Sequence, residues 1–157
     1  MMLGWIRKLH RFRKADQGQA VVEFAVFTSM FVVIMIGATD LSLNLIACMA
    51  AQECATEGAA YGASPGNQLD TTNMVAWAEQ AAYGASLAST PVATTFFTCT
   101  PGGTVVTSST ICPGGGAPLE YVKVTAVANV NPLFKSTFVR GGTANSTAIF
   151  RVAWKTQ

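Results

Sequence analysis

The carboxylate of Glu23 is the side chain most at odds with its surroundings. It stands in Gly18-Gln19-Ala20-Val21-Val22-Glu23-Phe24, and an uncharged run of sixteen residues, Phe24 to Thr39, follows it. A carboxylate at the centre of a membrane helix costs roughly 2.5–3.5 kcal/mol on insertion scales, and less near the membrane end. Such a group needs a reason, and the plain one is that it reaches back to the headgroups near the membrane end.

The cysteines offer the other chemistry. Cys99 and Cys112 flank a loop rich in Pro, Gly, Ser and Thr. A disulfide between them would close a small loop and stabilise the fold by ~3 kcal/mol in the chain-entropy model. It reads as a staple rather than a redox site, because no histidine or basic activator lies near either thiol in sequence. Cys48 and Cys54 are about 240° apart on a helix and cannot bridge within it. They read as buried small residues, with pairing to another partner as the alternative. No CxxC or Cys/His zinc spacing occurs. The single histidine, His10, precedes the apolar run. His-based general acid–base or triad chemistry is therefore missing from the rest of the chain, and no carboxylates cluster at metal-ligand spacing. The expectation is a non-enzyme with no cofactor. Pro101-Gly102-Gly103 and Pro113-Gly114-Gly115-Gly116 read as turns rather than phosphate loops, and Asn145-Ser146-Thr147 as a coincidental glycosylation sequon.

Composition says what must position these groups. Charged residues make up 11% and apolar ones 50% of the 157, against ~25% charged in ordinary soluble domains. Five of the ten basic residues, Arg7, Lys8, Arg11, Arg13 and Lys14, precede the apolar run, and the chain after Gly18 carries five basic and seven acidic residues. The basic character thus belongs to the leader and does not suggest nucleic-acid binding. A spanning helix needs ~20 residues, which Gln19 to Thr39 supplies once Glu23 is accepted. The hydrophilic leader and the lack of an Ala-x-Ala site favour a retained anchor over a removed signal. The basic flank then sets residues 1–18 on the cytoplasmic side and exports the C-terminal part, with Trp5 and Ile6 as interfacial anchors.

Residues 19–62 read as one proline-free helix, ~66 Å long, about twice the ~30 Å hydrocarbon core. Its outer half is rich in alanine. Asp40, ~25 Å along the axis from Glu23, is expected as a solvated carboxylate at the outer interface, with an intersubunit contact as the alternative. Gly58-x-x-x-Gly62 matches a helix-contact pattern, although beyond the membrane it reads as helix fraying or close packing on a sheet. Ser64-Pro65-Gly66-Asn67 stops the helix. Asp70 caps a second helix over 71–88. After Pro91 the period turns to two: strands are expected at Val92–Cys99, Thr104–Thr107, Glu120–Val130 and Thr143–Lys155. Val122, Val124, Ala126, Ala128 and Val130 would share one face, and Ala144, Ser146, Ala148, Phe150, Val152 and Trp154 another. The predicted class is α+β: a leader over 1–18, a long helix over 19–62 with a membrane-spanning first half, and an exported domain over 63–157. A small antiparallel sheet would lie on the outer half of the long helix.

The start of this chain resembles type IV pilins and pseudopilins, and more closely TadE-like proteins of the tight-adherence (Tad/Flp) pilus system. The resemblance rests on GQAVVEFA at Gly18 to Ala25, on Gly37 and Asp40 within the helix, and on Glu57-Gly58-Ala59-Ala60-Tyr61. Weaker echoes are Val122-Lys123-Val124, Pro132-Leu133 and Ala148-Ile149-Phe150-Arg151. It implies a processing site between Gly18 and Gln19, cut by a prepilin peptidase. Gln19 stands where processed pilins carry Phe or Met, so cleavage and retention of the leader both stay open. It also implies a register role for Glu23, beside Phe24. The expected function is that of a minor pilin or pseudopilin in a bacterial inner membrane, single-pass, entering a surface pilus that supports adherence. Its partners would be other pilin subunits and the inner-membrane assembly machinery. The alternative is a membrane-anchored, adhesin-like binding module that does not polymerise.

Overall fold

The structure is a computed structural model that describes residues 3–133 and 141–152, with side chains from residue 18 onward. The basic side chains at 7, 8, 11, 13 and 14, His10, Trp154 and Lys155 lie outside that description. The chain divides into two compact units, Met1–Leu41 and Ser42–Gln157.

The elements are helix α1 (Leu3–Ala63), helix α2 (Thr71–Gln80) and strands β1 (Leu87–Thr98), β2 (Val105–Val106), β3 (Leu119–Val130) and β4 (Gly142–Arg151). They form an α+β fold with a four-stranded antiparallel sheet of order β2-β1-β3-β4. α1 is free of proline and ends where expected. Beyond Ala63 the backbone N–H of Asn67 donates to the carbonyl of Ser64 at 3.1 Å, and Gly66 takes a φ of 96° that a side chain would resist.

Within the second unit, β3 supplies the middle of the core. Val122, Val124, Ala126 and Ala128 are fully buried and Val130 nearly so, as strict alternation predicts. They meet Cys54, Ala55 and Ala59 of α1, with Met74 and Ala78 of α2 filling the side of the same core. A second cluster joins Ala47 and Ala51 to Ala128, Val130 and Ala144. The sheet therefore packs on the outer part of α1, which presents small residues that allow close approach. A Cβ added at Gly58 would lie 2.9 Å from the backbone oxygen of Met74 and 3.2 Å from Val124 Cγ1. One at Gly62 would come within 2.7 Å of Met74 and 2.9 Å of Val122. The Gly58-x-x-x-Gly62 pair is thus a close-packing device that seats α2 and β3 together, not a frayed end.

Several boundaries differ from expectation. α1 begins at Leu3 rather than at residue 19, so the helix runs through the leader. α2 stops at Gln80 instead of running to 88, because Tyr83 and Gly84 take φ values of 46° and 84°, incompatible with a right-handed helix. β1 begins at Leu87 rather than Val92. Pro91 is accommodated because β1 shifts register twice, between Leu87, Ser89 and Val92, and β2 pairs only with Phe97 and Thr98. Proline is tolerated at such bulges and unpaired edges. β4 buries Ala144 and Val152 of its expected inward face, but Phe150 of that face is exposed, as β4 is the edge of the sheet, and its strand ends at Arg151.

Candidate functional site

In the first unit the residues of interest sit on a helix that buries almost nothing. Val21, Phe24, Phe27, Met30, Val33 and their large apolar neighbours through Met35 are 49–71% exposed. A helix that is apolar all round belongs inside a protein core or a membrane, and this one is long and apolar enough to cross a bilayer. The polar side chains of the run are satisfied locally. The Ser29 hydroxyl donates to the carbonyl of Val26 and the Thr39 hydroxyl to that of Met35, both at 2.8 Å. That arrangement suits a medium without water.

Glu23 is exposed on this helix and accepts a hydrogen bond at 3.2 Å from the side-chain amide of Gln19, one turn before it. Gly18, Gln19, Glu23 and Phe24 are all solvent-facing in the isolated chain, Phe24 at 71%. A Cβ at Gly18 or Gly37 would touch nothing within 4 Å, so neither glycine makes room for another part of this chain.

Asp40 departs from expectation. It is 1% exposed and its interactions are satisfied, so it is not a solvated interfacial carboxylate. Axial rise alone suggested the interface. That rise fixes a residue's depth along the helix, not whether its side chain is covered.

In the second unit Cys99 and Cys112 form the expected disulfide, with Cα atoms 5.4 Å apart. It closes the base of a turn-rich loop in which Cys112 N–H donates to the Gly116 carbonyl at 3.0 Å. Cys54 is buried, as expected, but Cys48 is exposed and its thiol points to Asn44 Oδ1 at 3.7 Å. Tyr61 of the Glu57–Tyr61 segment has a structural role. Its ring stacks on Trp77 at 5.9 Å and its hydroxyl donates to Asp70 Oδ2 at 3.3 Å. Asp70 caps α2 by accepting from the backbone of Asn73 at 3.1 Å and from its side-chain amide at 2.6 Å. The Asn73 side-chain and backbone bonds hold its carboxyl below the usual Asp range. Glu120, nearly buried at the end of β3, is pushed above the usual Glu range by desolvation.

One surface had no clear signal in the sequence. Met49, Gln52, Glu53, Thr56 and Glu57 of α1 and Tyr83 of the turn after α2 line an open groove of about 570 Å³. Tyr83, whose φ is 46°, brings the turn after α2 to it, and no spacing along the sequence pairs that residue with α1. Among the described residues no three His, Cys, Asp or Glu side chains converge as metal ligands. The site residues expected from sequence are not brought together: Gln19 and Glu23 lie in the first unit, and the disulfide lies in the second. No family model matches the chain, and no curated protein or solved structure matches it either.

Proposed function

We propose that this chain is a TadE-like minor pilin or pseudopilin of a Tad-type pilus, held in a bacterial inner membrane by α1 before it joins an assembly. The observation that carries the reading is the Gly18–Ala25 segment at the head of an all-round apolar helix, with Glu23 one turn from Gln19 and bonded to it at 3.2 Å. If the chain is cut after Gly18, Gln19 gains an α-amino group next to the one carboxylate of the anchor's start. In a bundle of such helices that charge pair, made within or between subunits, sets the axial step of an incoming subunit.

The disulfide supports export of the second unit, since such bonds persist in oxidising compartments. The exported unit is also larger than a plain helix needs, which suits priming or tip placement rather than the bulk of a filament. The basic leader places the N-terminus in the cytoplasm. The partners are other pilin subunits, the inner-membrane assembly machinery and a prepilin peptidase. No catalytic role is assigned.

The test replaces Glu23 by Ala in the full chain. Membrane insertion should stay at wild-type level while recovery in sheared pili drops by about tenfold or more, since one pKa-scale electrostatic pairing of 1.4 kcal/mol is already tenfold. Normal incorporation of the variant would overturn the register role. Mass spectrometry of the N-terminus, with and without prepilin peptidase, reads the cut between Gly18 and Gln19. An uncut chain that is missing from pili would instead favour an anchored binding module.

A further inference from the structure

The second unit carries two faces of opposite charge that have no partner among its described residues. Lys123 and Arg151 are the only basic residues among its described residues, and both are exposed. They lie on the outer face of the sheet, opposite the core. Lys123 pairs with Ile149 and Tyr121 with Arg151 across β3 and β4, so the two cations are diagonal neighbours, roughly 7–8 Å apart. Like charges so placed repel, and among the described residues neither side chain makes an ion pair or hydrogen bond. Beside them are the Phe96–Tyr121 stack, at 5.6 Å, and Ile149, 52% exposed.

The other face is on α1. Glu53 and Glu57 are one turn apart, exposed and likewise without an ion pair among the described residues. On a helix such a pair stands about 5–6 Å apart at Cβ, close to the separation of the two cations. They line the 570 Å³ groove together with Met49 and with Tyr83, which is 82% exposed. The groove therefore offers two carboxylates, a thioether and an aromatic ring. The sheet face offers two cations, an aromatic stack and an isoleucine.

We infer that these surfaces join copies of this chain: Lys123 and Arg151 of one copy seat against Glu53, Glu57 and Tyr83 of the next. Each face set against its own copy would oppose equal charges, which costs several kcal/mol in an interface. That excludes a contact of either face with its own copy. The remaining pairing sets unlike faces together, and repeated head to tail over a few copies such a heterologous contact closes a ring or begins an open helix, which a priming or tip complex can hold. The inference rests on the reading of the chain as an assembling subunit, and it adds the surfaces that the exported units use. The contact is electrostatic and peripheral, so it weakens as salt shortens the screening length.

The test uses the full chain in membranes, with isotopically mixed copies and a zero-length carbodiimide crosslinker. Wild type should give a ladder whose linked peptides join Glu53 or Glu57 of one copy to Lys123 of another. E53K/E57K and K123E/R151E should each lower that yield by about tenfold or more. A mixture of the two variants should restore it, with amides joining position 53 or 57 of one variant to position 123 of the other. Arg151→Glu, judged beside an intact Cys99–Cys112 bond, replaces the reversal if that variant misfolds; it leaves Glu53, Glu57 and Lys123 able to couple and should still lower the wild-type linkage. Three outcomes overturn the contact: monomers only, a ladder indifferent to both reversals, or links from the groove solely to the lysines of another protein. Pili that incorporate the reversed variants normally also overturn it and leave the pilin reading standing. A wild-type chain that forms this ladder yet never enters pili overturns the pilin reading and leaves the contact standing.

Discussion

Two stretches of α1 differ in what they meet. From Val21 to Met35 the large apolar side chains are at least 49% exposed, whereas Ala47, Ala51, Cys54, Ala55 and Ala59 are at most 6% exposed. The difference is one of shape. Bulky residues on every side suit a fluid medium that conforms to any contour. A stripe of alanine and glycine suits a fixed partner whose backbone comes close. The outer stretch is also less apolar, carrying Gln52, Glu53 and Glu57, but side-chain size and its distribution around the helix set what it packs against.

A pair of methionine truncations breaks the comparison most directly. Met74→Ala removes a fully buried side chain and should cost about 2–5 kcal/mol, whereas Met35→Ala, at a position 53% exposed, should change stability by less than about 0.5 kcal/mol. Urea unfolding of the full chain in micelles, followed by tryptophan fluorescence, reads both. A Met35→Ala loss as large as that of Met74→Ala would show that the first stretch has a fixed protein partner.

A glycine pair sharpens it. Gly58→Ala forces a methyl against the Met74 backbone oxygen at 2.9 Å and should cost about 1–3 kcal/mol. Gly37→Ala enters open space and should cost nothing measurable in the same unfolding experiment. Equal effects would mean that close approach does not define the outer stretch.

Titration probes how the packed unit holds its few carboxyls. The folded Asp70 carboxyl sits below its ordinary range, so its contribution is complete above the ordinary Asp value and fades as pH falls through the lowered one. Asp70→Ala should therefore lower the unfolding midpoint modestly at neutral pH and converge with wild type in acid. Glu120 has the opposite sign. With its folded value raised by burial, the folded state binds the proton more tightly, and stability falls as pH rises from the ordinary Glu value through the raised one. Glu120→Gln should remove that slope and slightly raise the midpoint at neutral pH. An unchanged pH profile would show that Glu120 is as well solvated folded as unfolded.

Much of the architecture could be read from residue order. The alternation from Val122 to Val130, the helix stop at Ser64-Pro65-Gly66 and the Asp70 cap are local signals, and each appears where its chemistry places it. The Cys99–Cys112 bond was legible because its turn-rich loop is short. What escaped needed a second dimension. Asp40 was placed by axial rise, which does not say whether a side chain is covered, and it is buried. Cys48 and Cys54 looked alike until one faced the core and the other faced out. The end of α2 hinged on a positive φ at Tyr83, a residue type that rarely adopts it. The groove at Glu53 and Glu57 joins side chains from two elements, which no spacing along one element reveals.

The Cys99–Cys112 bond also works as a clock. Thiols stay reduced in the cytosol and pair in an oxidising compartment, so the state of this bond records which kind of compartment residues 99–112 have met. Closing the loop compacts the denatured chain, and the shift in gel mobility on reduction counts the molecules whose bond has formed at any moment after synthesis. Followed over a labelling pulse, the same shift times the arrival of the 99–112 loop in an oxidising medium.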